Sequence, residues 1–591
     1  MPEYQLTNEL IYKSFIFGAQ NVIREKNSLN AINVFPVADG DTGSNLASMM
    51  TSIIERSKLG ETSEETIQSI VDAAIVGARG NSGIIFAEYI YGFSLALKED
   101  IIDTDTFIKL VENASDYAYQ AIAVPVEGTM ITIMRAWAHA LNKFKSVASS
   151  FIELLGKAYD FVLIELSKTT EMLAVLKENK VVDAGAKGFV HFIEGFLKAL
   201  KGEEVSLDIE KIENIEQLHV DHLEDSQNRY CTEALIRGND IDLEKMKSEL
   251  TAFGDSLVVA GSNRTIRIHI HSNHPDQVFA YLDGIGQITE QKVDDMKRQF
   301  ETANHRKYPI ALVTDSIADL PESMVDKYQI HMFPLNLLIN DTNYYDKVTI
   351  QNSRFYELMD SVKTYPTSSQ PNAKNLENFF SFLTTYYKDV IVVTVSKKMS
   401  GTYQAFIEAS AKFKNARINI INSKQNSGSE GLIVMKAAEM IDQGLPYEEI
   451  LESIESLIPK SKILVSVKTL KYMVRSGRVS KVTGLIGKIM NLKPVISIDE
   501  DGNGIIFEKS LSLKSSNKKI QNHIESIQKT EGIETYAIVH CNALNRAQEY
   551  ALKYEKIIGK QPAYIMDIST IVAMNAGIGT VAIAYIKGGK S

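Results

Sequence analysis

The hydrophobic rhythm of the chain changes twice. In Asn8 to Arg24, Leu10, Ile11, Phe15, Ile16, Ala19 and Ile23 recur at helical spacing on one face. Similar stripes in 62–77, 82–97, 105–121, 129–142, 149–165 and 186–200 predict a helical domain over 1–205, with breaks rich in Gly, Asp, Pro and Asn. Residues 206–226, acidic and without aromatics, read as a linker. From 227 the period becomes two. Thr265-Ile266-Arg267-Ile268-His269-Ile270-His271 alternates strictly and predicts a half-buried strand, with Tyr230–Ile236 as its neighbour, in a small α/β domain over 227–295. The polar segment 296–307 reads as a second linker. Over 308–591 short apolar runs (Ile310–Thr314, Val390–Val395, Ile418–Asn422, Ile463–Val467, Ala537–His540, Tyr564–Ile568, Val581–Ile586) alternate with amphipathic segments such as 373–387 and 403–414. That order predicts α/β with a largely parallel sheet. No internal repeat is visible.

A length of 591 residues exceeds one core and fits this multidomain reading. With 45% hydrophobic and 23% charged residues the chain is of globular type. Its 63 basic and 74 acidic residues give a net charge of −11, which argues against a general nucleic-acid binder. Two cysteines, Cys231 and Cys541, make no disulfide framework and point to a reducing compartment, or to one reactive or metal-bound thiol. Met1–Leu6 has no basic region leading into an apolar core, and no run approaches the roughly 18 apolar residues of a membrane span. A cytoplasmic protein is the expectation.

The candidate chemistry lies in the breaks. Asn33-Val34-Phe35-Pro36-Val37-Ala38-Asp39-Gly40-Asp41-Thr42-Gly43-Ser44-Asn45 places two carboxylates, Asp39 and Asp41, where they can converge on a hard cation such as Mg²⁺, which shares oxygen ligands with phosphates. Thr42, Ser44 and Asn45 offer hydrogen bonds to those phosphates. On this stretch alone an Asp-Gly turn is an equal reading. Gly77-Ala78-Arg79-Gly80-Asn81-Ser82-Gly83 precedes a helix and suits an anion. Glu127-Gly128-Thr129-Met130 and Val182-Asp183-Ala184-Gly185 open two more helices. Such glycines are often only caps, but four of these loops in one helical domain weigh against that reading.

His269 and His271 share a strand face about 7 Å apart, opposite Ile266, Ile268 and Ile270. With Cys231 they offer a thiolate and two imidazoles, a set that suits zinc with water or a phosphate oxygen as fourth ligand. Spacing alone favours surface histidines beside an inert thiol. In the last region hydroxyls at Ser316, Ser368, Ser369 and Ser400, the glycine Gly401 and the guanidinium of Arg478 are candidates to hold one carboxylate. Any single one of these loops reads equally as a turn. Gly577-Ile578-Gly579 lacks the dinucleotide context, because a strand-like run follows it where a helix is needed.

Taken in order, NVFPVADGDTGSN, GARGNSG, PVEGT and VVDAGAKG resemble the L-type nucleotide domain of the dihydroxyacetone kinase family, in the version found in bacterial fatty acid kinases, over about 1–200. The resemblance implies an all-α, antiparallel helical barrel that holds ATP and Mg²⁺ at one end. Asp39 and Asp41 then hold the metal, and Asn45, Ser82 and Gly83 contact phosphates, with Thr42, Ser44 and Asn81 beside them. Thr129, Asp183 and Gly185 line the nucleotide pocket. Dihydroxyacetone kinases have a third aspartate where this chain has Val34, which leaves Asn33 or water to complete the shell. YCTEALI and IRIHIHSNHP resemble the middle domain of fatty acid kinases, implying a functional site of Cys231, His269 and His271, with zinc as occupant, in catalysis or structure. TDSIADLP, TSSQP, MSGTYQ and SGRVS resemble the DegV family of fatty-acid-binding proteins over nearly all of 308–591. That implies a two-lobed α/β domain around an acyl chain, with Ser368, Ser400 and Gly401 at its carboxylate and Arg478 near. Ser316, Ser369 and Asn575 join the lipid-binding set. Ser368 stands where the family usually has Thr, and Asn575 where it commonly has His.

Together these resemblances imply a fatty acid kinase on one chain, moving the γ-phosphoryl of Mg·ATP onto a fatty acid carboxylate, with Cys231, His269, His271 and Arg478 as catalytic candidates. The extra C-terminal domain expected of the kinase component is replaced by the DegV-like carrier. Tethering raises the local concentration of carrier to about mM if the linker spans the sites. A homodimer, an acyl-phosphate-using membrane enzyme as partner and transient membrane contact are expected on the same ground. The alternatives are an ATP-regulated lipid sensor or carrier without turnover, or a kinase of dihydroxyacetone type.

Overall fold

Helices build the N-terminal region: α1 (Asn8–Arg24), α2 (Lys26–Ala31), α3 (Thr42–Arg56), α4 (Ser63–Gly77), α5 (Gly80–Leu95), α6 (Thr104–Gln120), α7 (Met130–Phe144), α8 (Phe151–Met172), α9 (Ala174–Asn179) and α10 (Ala184–Leu200). The computed structural model describes residues 6–35, 40–97, 102–203, 228–476 and 492–589. The linker expected over 206–226 lies outside them. Thr7, Thr62, Asp103 and Ser150 cap α1, α4, α6 and α8, each side chain accepting the N–H three residues on. Neighbours pack in sequence from α3 to α8, and α10 closes the ring by packing on α7, α8 and α1. Phe15, Phe86, Phe189, Phe192 and Phe196 fill the centre, largely edge to face. Residues 42–45, expected in a loop, are instead the first turn of α3. Asn30 accepts the Ser44 N–H at 3.0 Å, Thr42 donates to Asn33, and Leu46, Met49, Met50 and Ile53 carry the helix on with fully buried side chains.

The middle region is a four-stranded antiparallel sheet, β1 (Tyr230–Arg237), β2 (Asp255–Gly261), β3 (Thr265–Ser272) and β4 (Gln287–Asp295), in the order β2-β3-β1-β4. Helices α11 (Leu243–Leu250) and α12 (Pro275–Asp283) pack against it with Met246, Leu250, Val278, Phe279 and Leu282 buried. The segment after α6 joins the sheet beside β2: Val259 N–H donates to the Ala121 carbonyl (3.2 Å) and Ala123 N–H to that of Leu257 (3.3 Å). Gly261 N–H donates to Glu88 on α5 at 2.8 Å. As a result β3 is buried on both faces, not half-buried as its alternation predicts. The expected linker 296–307 is also corrected, because Met296–Asn304 forms helix α13. Its polar groups are satisfied locally: the Arg298 N–H donates to Asp295 (3.0 Å) and the Arg298 guanidinium pairs with Glu301 (2.9 Å). A polar sequence therefore still packs, with Met296 and Thr302 buried. Residues Met1–Asn304 form one compact unit and His305–Ser591 a second.

The second unit has two lobes. In the first, β5 (Ile310–Asp315), β6 (His331–Phe333), β10 (Asp389–Thr394) and β11 (Arg417–Asn422) form a parallel sheet in the order β11-β10-β5-β6. Beside it lies a small antiparallel sheet of β7 (Asn336–Ile339), β8 (Thr342–Tyr345) and β9 (Thr367–Ser369). The second lobe holds β12 (Ser461–Ser466), β13 (Val495–Ile498), β14 (Gly504–Glu508), β15 (Ile533–His540), β16 (Ile565–Asp567) and β17 (Val581–Lys587), ordered β14-β13-β12-β17-β15-β16. There only β15 and β16 run parallel, so the expectation of a largely parallel sheet holds for the first lobe alone. Buried apolar runs do not encode strand direction, and a tight turn at Asp499–Asn503 closes β13 onto β14 without a crossover helix.

The helix Ser427–Asp442 packs on β5 and β10 of one lobe and on β12, β15 and β17 of the other. At its start is a buried polar network. Asp319 accepts the Ser569 N–H at 2.7 Å and the Ser427 hydroxyl, and Lys347 stands 3.4 Å away. Asp346 accepts both the N–H (2.9 Å) and the hydroxyl (2.6 Å) of Thr570. Asp315 accepts the N–H groups of Ile317 and Val395. Burial pushes Asp315 and Asp319 up to about 6. Glu430 is fully buried, and neither of its oxygens has a hydrogen-bond partner. Burial, then the neighbouring Asp315 and Asp319, raises its carboxyl well above the usual range. A raised folded value means that the native state binds the extra proton, so stability is greatest below the unfolded value and falls as pH rises. Glu430→Gln, which stays neutral, should therefore stabilise this unit by about 1–3 kcal/mol at pH 8 and by less at pH 5. Thermal unfolding at both pH values checks this, and equal shifts would refute it.

Candidate functional site

Four helix N-termini meet at one end of the helical ring. Asp41 begins α3, and its carboxylate accepts from the Asn45 amide at 2.8 Å. Gly80 begins α5 with φ +57, and a Cβ there would stand 2.3 Å from the Asn45 Nδ2. Gly83 lies against the Asn45 carbonyl. A Cβ on Gly185, at the start of α10, would meet Met130 Cε and Ser82 Oγ at 3.0 Å and Asp183 Oδ1 at 3.3 Å. Asp183 caps α10 through Ala186 N–H at 2.7 Å and also accepts the Met130 N–H at the start of α7, beside Thr129. Burial pushes Asp183 up to about 7, while those two amides pull it back. Asn45, Ser82, Gly83, Thr129, Asp183 and Gly185 thus belong to one contiguous surface of helix starts, where exposed N–H groups and helix dipoles favour an anion. Ser44 is bonded to Asn30, and Thr129 donates to the Val126 carbonyl at 2.8 Å. Asn81 Oδ1 is buried without a hydrogen-bond partner. Asp39 lies outside the described residues.

The polar face of the middle sheet adjoins this surface. Strand register places side chains of equal parity in rows: His271, Cys231 and Asp294 in one, His269, Glu233 and Lys292 in the next, Arg267, Leu235 and Glu290 in the third. One ligand atom each from Cys231, His269 and His271 lies within 4.8 Å of the others. His269 and His271 are only 4% and 6% exposed, so the surface-histidine reading that spacing favours is corrected. The cause is the helical ring, which covers this face of the sheet. Cys231 Sγ is 3.8 Å from His269 Nδ1, Glu233 Oε1 is 3.5 Å from the same nitrogen, and His269 Nε2 is buried without a partner. Burial, then Glu233, Asp294 and Asp41, raises the Cys231 thiol well above its ordinary value. Asp41 is therefore within electrostatic reach of Cys231, which joins the carboxylate loop and the Cys/His cluster in one site. Burial also pushes His271 down to about 3, aided by the charge of His269. A thiol and two imidazoles kept from protonation, with an orphaned ring nitrogen, fit a soft-to-borderline divalent metal.

Several residues here escaped sequence reasoning: Glu233, Arg267, Glu290, Lys292 and Asp294. Parity was the available signal, since Glu233 lies two residues from Cys231 and Arg267 two from His269. Arg267 donates to the Val76 carbonyl (2.7 Å) and pairs with Glu290 (3.0 Å), which also pairs with Arg79 (3.0 Å). Lys292 pairs with Asp294 at 2.9 Å.

In the second unit, Ser368 and Ser369 lie on β9, and a Cβ on Gly401 would strike the neighbouring Gln370 side chain, so the two loops touch. Ser400 and Thr402 share a hydroxyl bond of 2.8 Å. Ser316 is fully buried instead, its hydroxyl accepting Leu335 N–H at 3.2 Å. Tyr365, just before β9, donates to the Met574 carbonyl, which brings the β9 segment to the turn carrying Asn575. Asn575 donates to Ile571 O (2.8 Å), and its Oδ1 is buried without a partner. Gly577 packs under the Tyr472 ring, and β17 follows Gly579. Arg478 lies outside the described residues.

Residues 36–198 match the family model of the DAK2 domain, 227–303 that of the middle domain of fatty acid kinases, and 309–588 that of the DegV family, described as uncharacterised protein. Three known family domains stand in series on one chain. This is the architecture of a fatty acid kinase joined to a DegV domain. A protein of Staphylococcus epidermidis is 32% identical over 309 residues and one of Staphylococcus aureus 33% over 313, each named only as uncharacterized. Each alignment covers 50% of this chain and 56% of the relative, so the chain spans about half the length of the curated relatives it matches. Among solved structures, DegV of Bacillus subtilis, a fatty acid binding protein, is 25% identical with a TM-score of 0.44, covering 48% of this chain and 100% of that one. A DegV family protein of Thermus thermophilus, described for its fatty acid binding, is 23% identical with a TM-score of 0.44, covering 47% and 99%. No helix among the described residues is long and apolar enough to cross a membrane.

The start of α5 tolerates no side chain. Gly80→Ala in the DAK2 domain should cost about 1–3 kcal/mol, because it combines a left-handed backbone with the clash on Asn45. Chemical denaturation and nucleotide titration check this: stability and nucleotide affinity should both fall. An unchanged midpoint with unchanged affinity would exclude the close packing of the two loops.

Proposed function

We propose that the chain is a fatty acid kinase whose acyl carrier is covalently attached. The observation that carries this reading is the convergence of four helix N-termini, the Asp41 carboxylate and the Cys231/His269/His271 cluster on one surface of the first unit. The DAK2 and fatty acid kinase middle-domain matches support a kinase-type phosphotransferase using ATP, and the DegV match supports a fatty acid as the second substrate. Asn45, Ser82 and Gly83 bind phosphates, with Thr42, Ser44 and Asn81 around them, and Thr129, Asp183 and Gly185 line the nucleotide. Asp39 and Asp41 would hold Mg²⁺, which supplies charge neutralisation to the phosphates when bound. Cys231, His269 and His271 would hold zinc.

A carboxylate oxygen of the fatty acid attacks the γ-phosphorus, the bond to the β,γ-bridging oxygen breaks, and acyl phosphate and ADP result. The carboxylate is ionised at pH 7, so no base is required. The helix starts orient and neutralise, which is most of what such a transfer needs. Ser368, Ser369, Ser400 and Gly401 hold the carboxylate in the DegV domain, with Arg478 and Asn575 near it and Ser316 shaping the loop beneath. A homodimer in the cytoplasm, with acyl phosphate passed to a membrane enzyme, completes the proposal.

Mass spectrometry of lipid extracted from the purified chain, followed by ATP consumption with and without that lipid, tests it. A bound fatty acid and lipid-dependent formation of ADP and acyl phosphate are expected. Asp41→Ala should lower turnover by roughly 10²–10³-fold. ATP bound but never consumed would sink the kinase reading and leave a nucleotide-regulated lipid carrier, the reading that Asn575 favours.

A further inference from the structure

The turn between α4 and α5 is held from outside the helical ring by three middle-domain groups. Arg267 donates to the Val76 carbonyl at 2.7 Å, Glu290 pairs with Arg79 at 3.0 Å, and Glu233 Oε1 accepts the Gly80 N–H at 2.8 Å. That N–H begins α5, the helix whose first turn carries Asn81, Ser82 and Gly83, and Gly80 itself touches Asn45. The same Glu233 oxygen stands 3.5 Å from His269 Nδ1. Glu233 is 1% exposed, and its second oxygen is buried without a hydrogen-bond partner. Burial would push its carboxyl up; the bond to His269 and the charges of Lys292, His269 and Arg267 outweigh that and hold it ionised. A buried carboxylate is costly unless its partners stay in place. One anion therefore constrains two structures at once, the imidazole of the Cys/His cluster and the first amide of the phosphate-side helix.

We propose that Glu233 is a positioning residue that couples the Cys/His metal site to the nucleotide site, so that metal occupancy tightens ATP binding and ATP tightens metal binding. Accepting the Nδ1 proton of His269 fixes the tautomer that leaves the Nε2 lone pair for a metal, as a carboxylate behind a ligating histidine does. The grip on Gly80 sets the direction of the α5 N-terminus. Linkage makes the effect reciprocal. The inference rests on the nucleotide-site reading above.

Isothermal titration of the full chain with ATP in excess Mg²⁺, zinc-loaded and after a zinc-selective chelator, reads the coupling. Removing zinc from the native chain should weaken ATP binding by at least about fivefold, and saturating ATP should tighten zinc binding by the same factor. Glu233→Gln keeps the shape and an acceptor for Gly80 but loses the charge on His269. It should bind both ligands more weakly, with a coupling factor near one. Melting curves of this variant with and without zinc confirm that it is folded. Equal ATP affinity of the native chain in both metal states, or full coupling in Glu233→Gln, overturns the inference and leaves the kinase reading standing. A native chain that does not bind Mg·ATP overturns both.

Discussion

The polar face of the middle sheet has to be buried, and the first unit is organised around that requirement. Glu233, His269, His271 and Arg267 are nearly inaccessible, yet all carry charge or strong hydrogen-bonding capacity. Leaving such groups unpaired costs several kcal/mol each, so the helical ring must present complementary partners. It does so with the least side-chain material available: a carbonyl at Val76, an amide at Gly80 and the guanidinium of Arg79. The α4–α5 turn is thereby fixed from both sides, by Asn45 within the ring and by the sheet from without. Gly80 is glycine because both sides press on it.

The nucleotide-side loops and the Cys/His cluster consequently form one structure and not two neighbouring ones. Glu88 shows the same logic a little further along α5. Its carboxyl accepts Gly261 N–H at 2.8 Å, and burial pushes it up to about 8, so it bonds the sheet edge as a nearly neutral group near pH 7. The middle domain thus supports the kinase-like helices through backbone amides at two points of a single helix.

The DegV unit solves a related problem with carboxylates. Asp319 and Asp346 cap the backbone around Ser569 and Thr570, the start of the helix that ends in the Asn575 turn. Asp315 ties β5 to the end of β10. These acids replace water for amides that the meeting of two lobes has buried. Their mutual repulsion leaves Glu430, on the central helix, as the group that stays protonated.

Much of this was legible in the chain. Helical stripes located the ring, strict alternation located β3, and motif order pointed to three domains, because period and local glycine chemistry are properties of consecutive residues. The four loops were visible as candidates for the same reason. Their convergence was not, since it depends on the ring closing through α1 and α10. Parity along β1 and β3 placed Cys231 with Glu233 and His269 with Arg267, but only strand register made them opposite one another. The sequence also left β3 half exposed and Met296–Asn304 as a linker. Period two specifies which residues share a face and says nothing about what covers it, and a polar helix stabilised by its own ion pairs looks like coil. What the tertiary structure alone decided was the burial of a polar face. Burial depends on the partner surface, and that surface lies some 150 to 200 residues earlier in the chain.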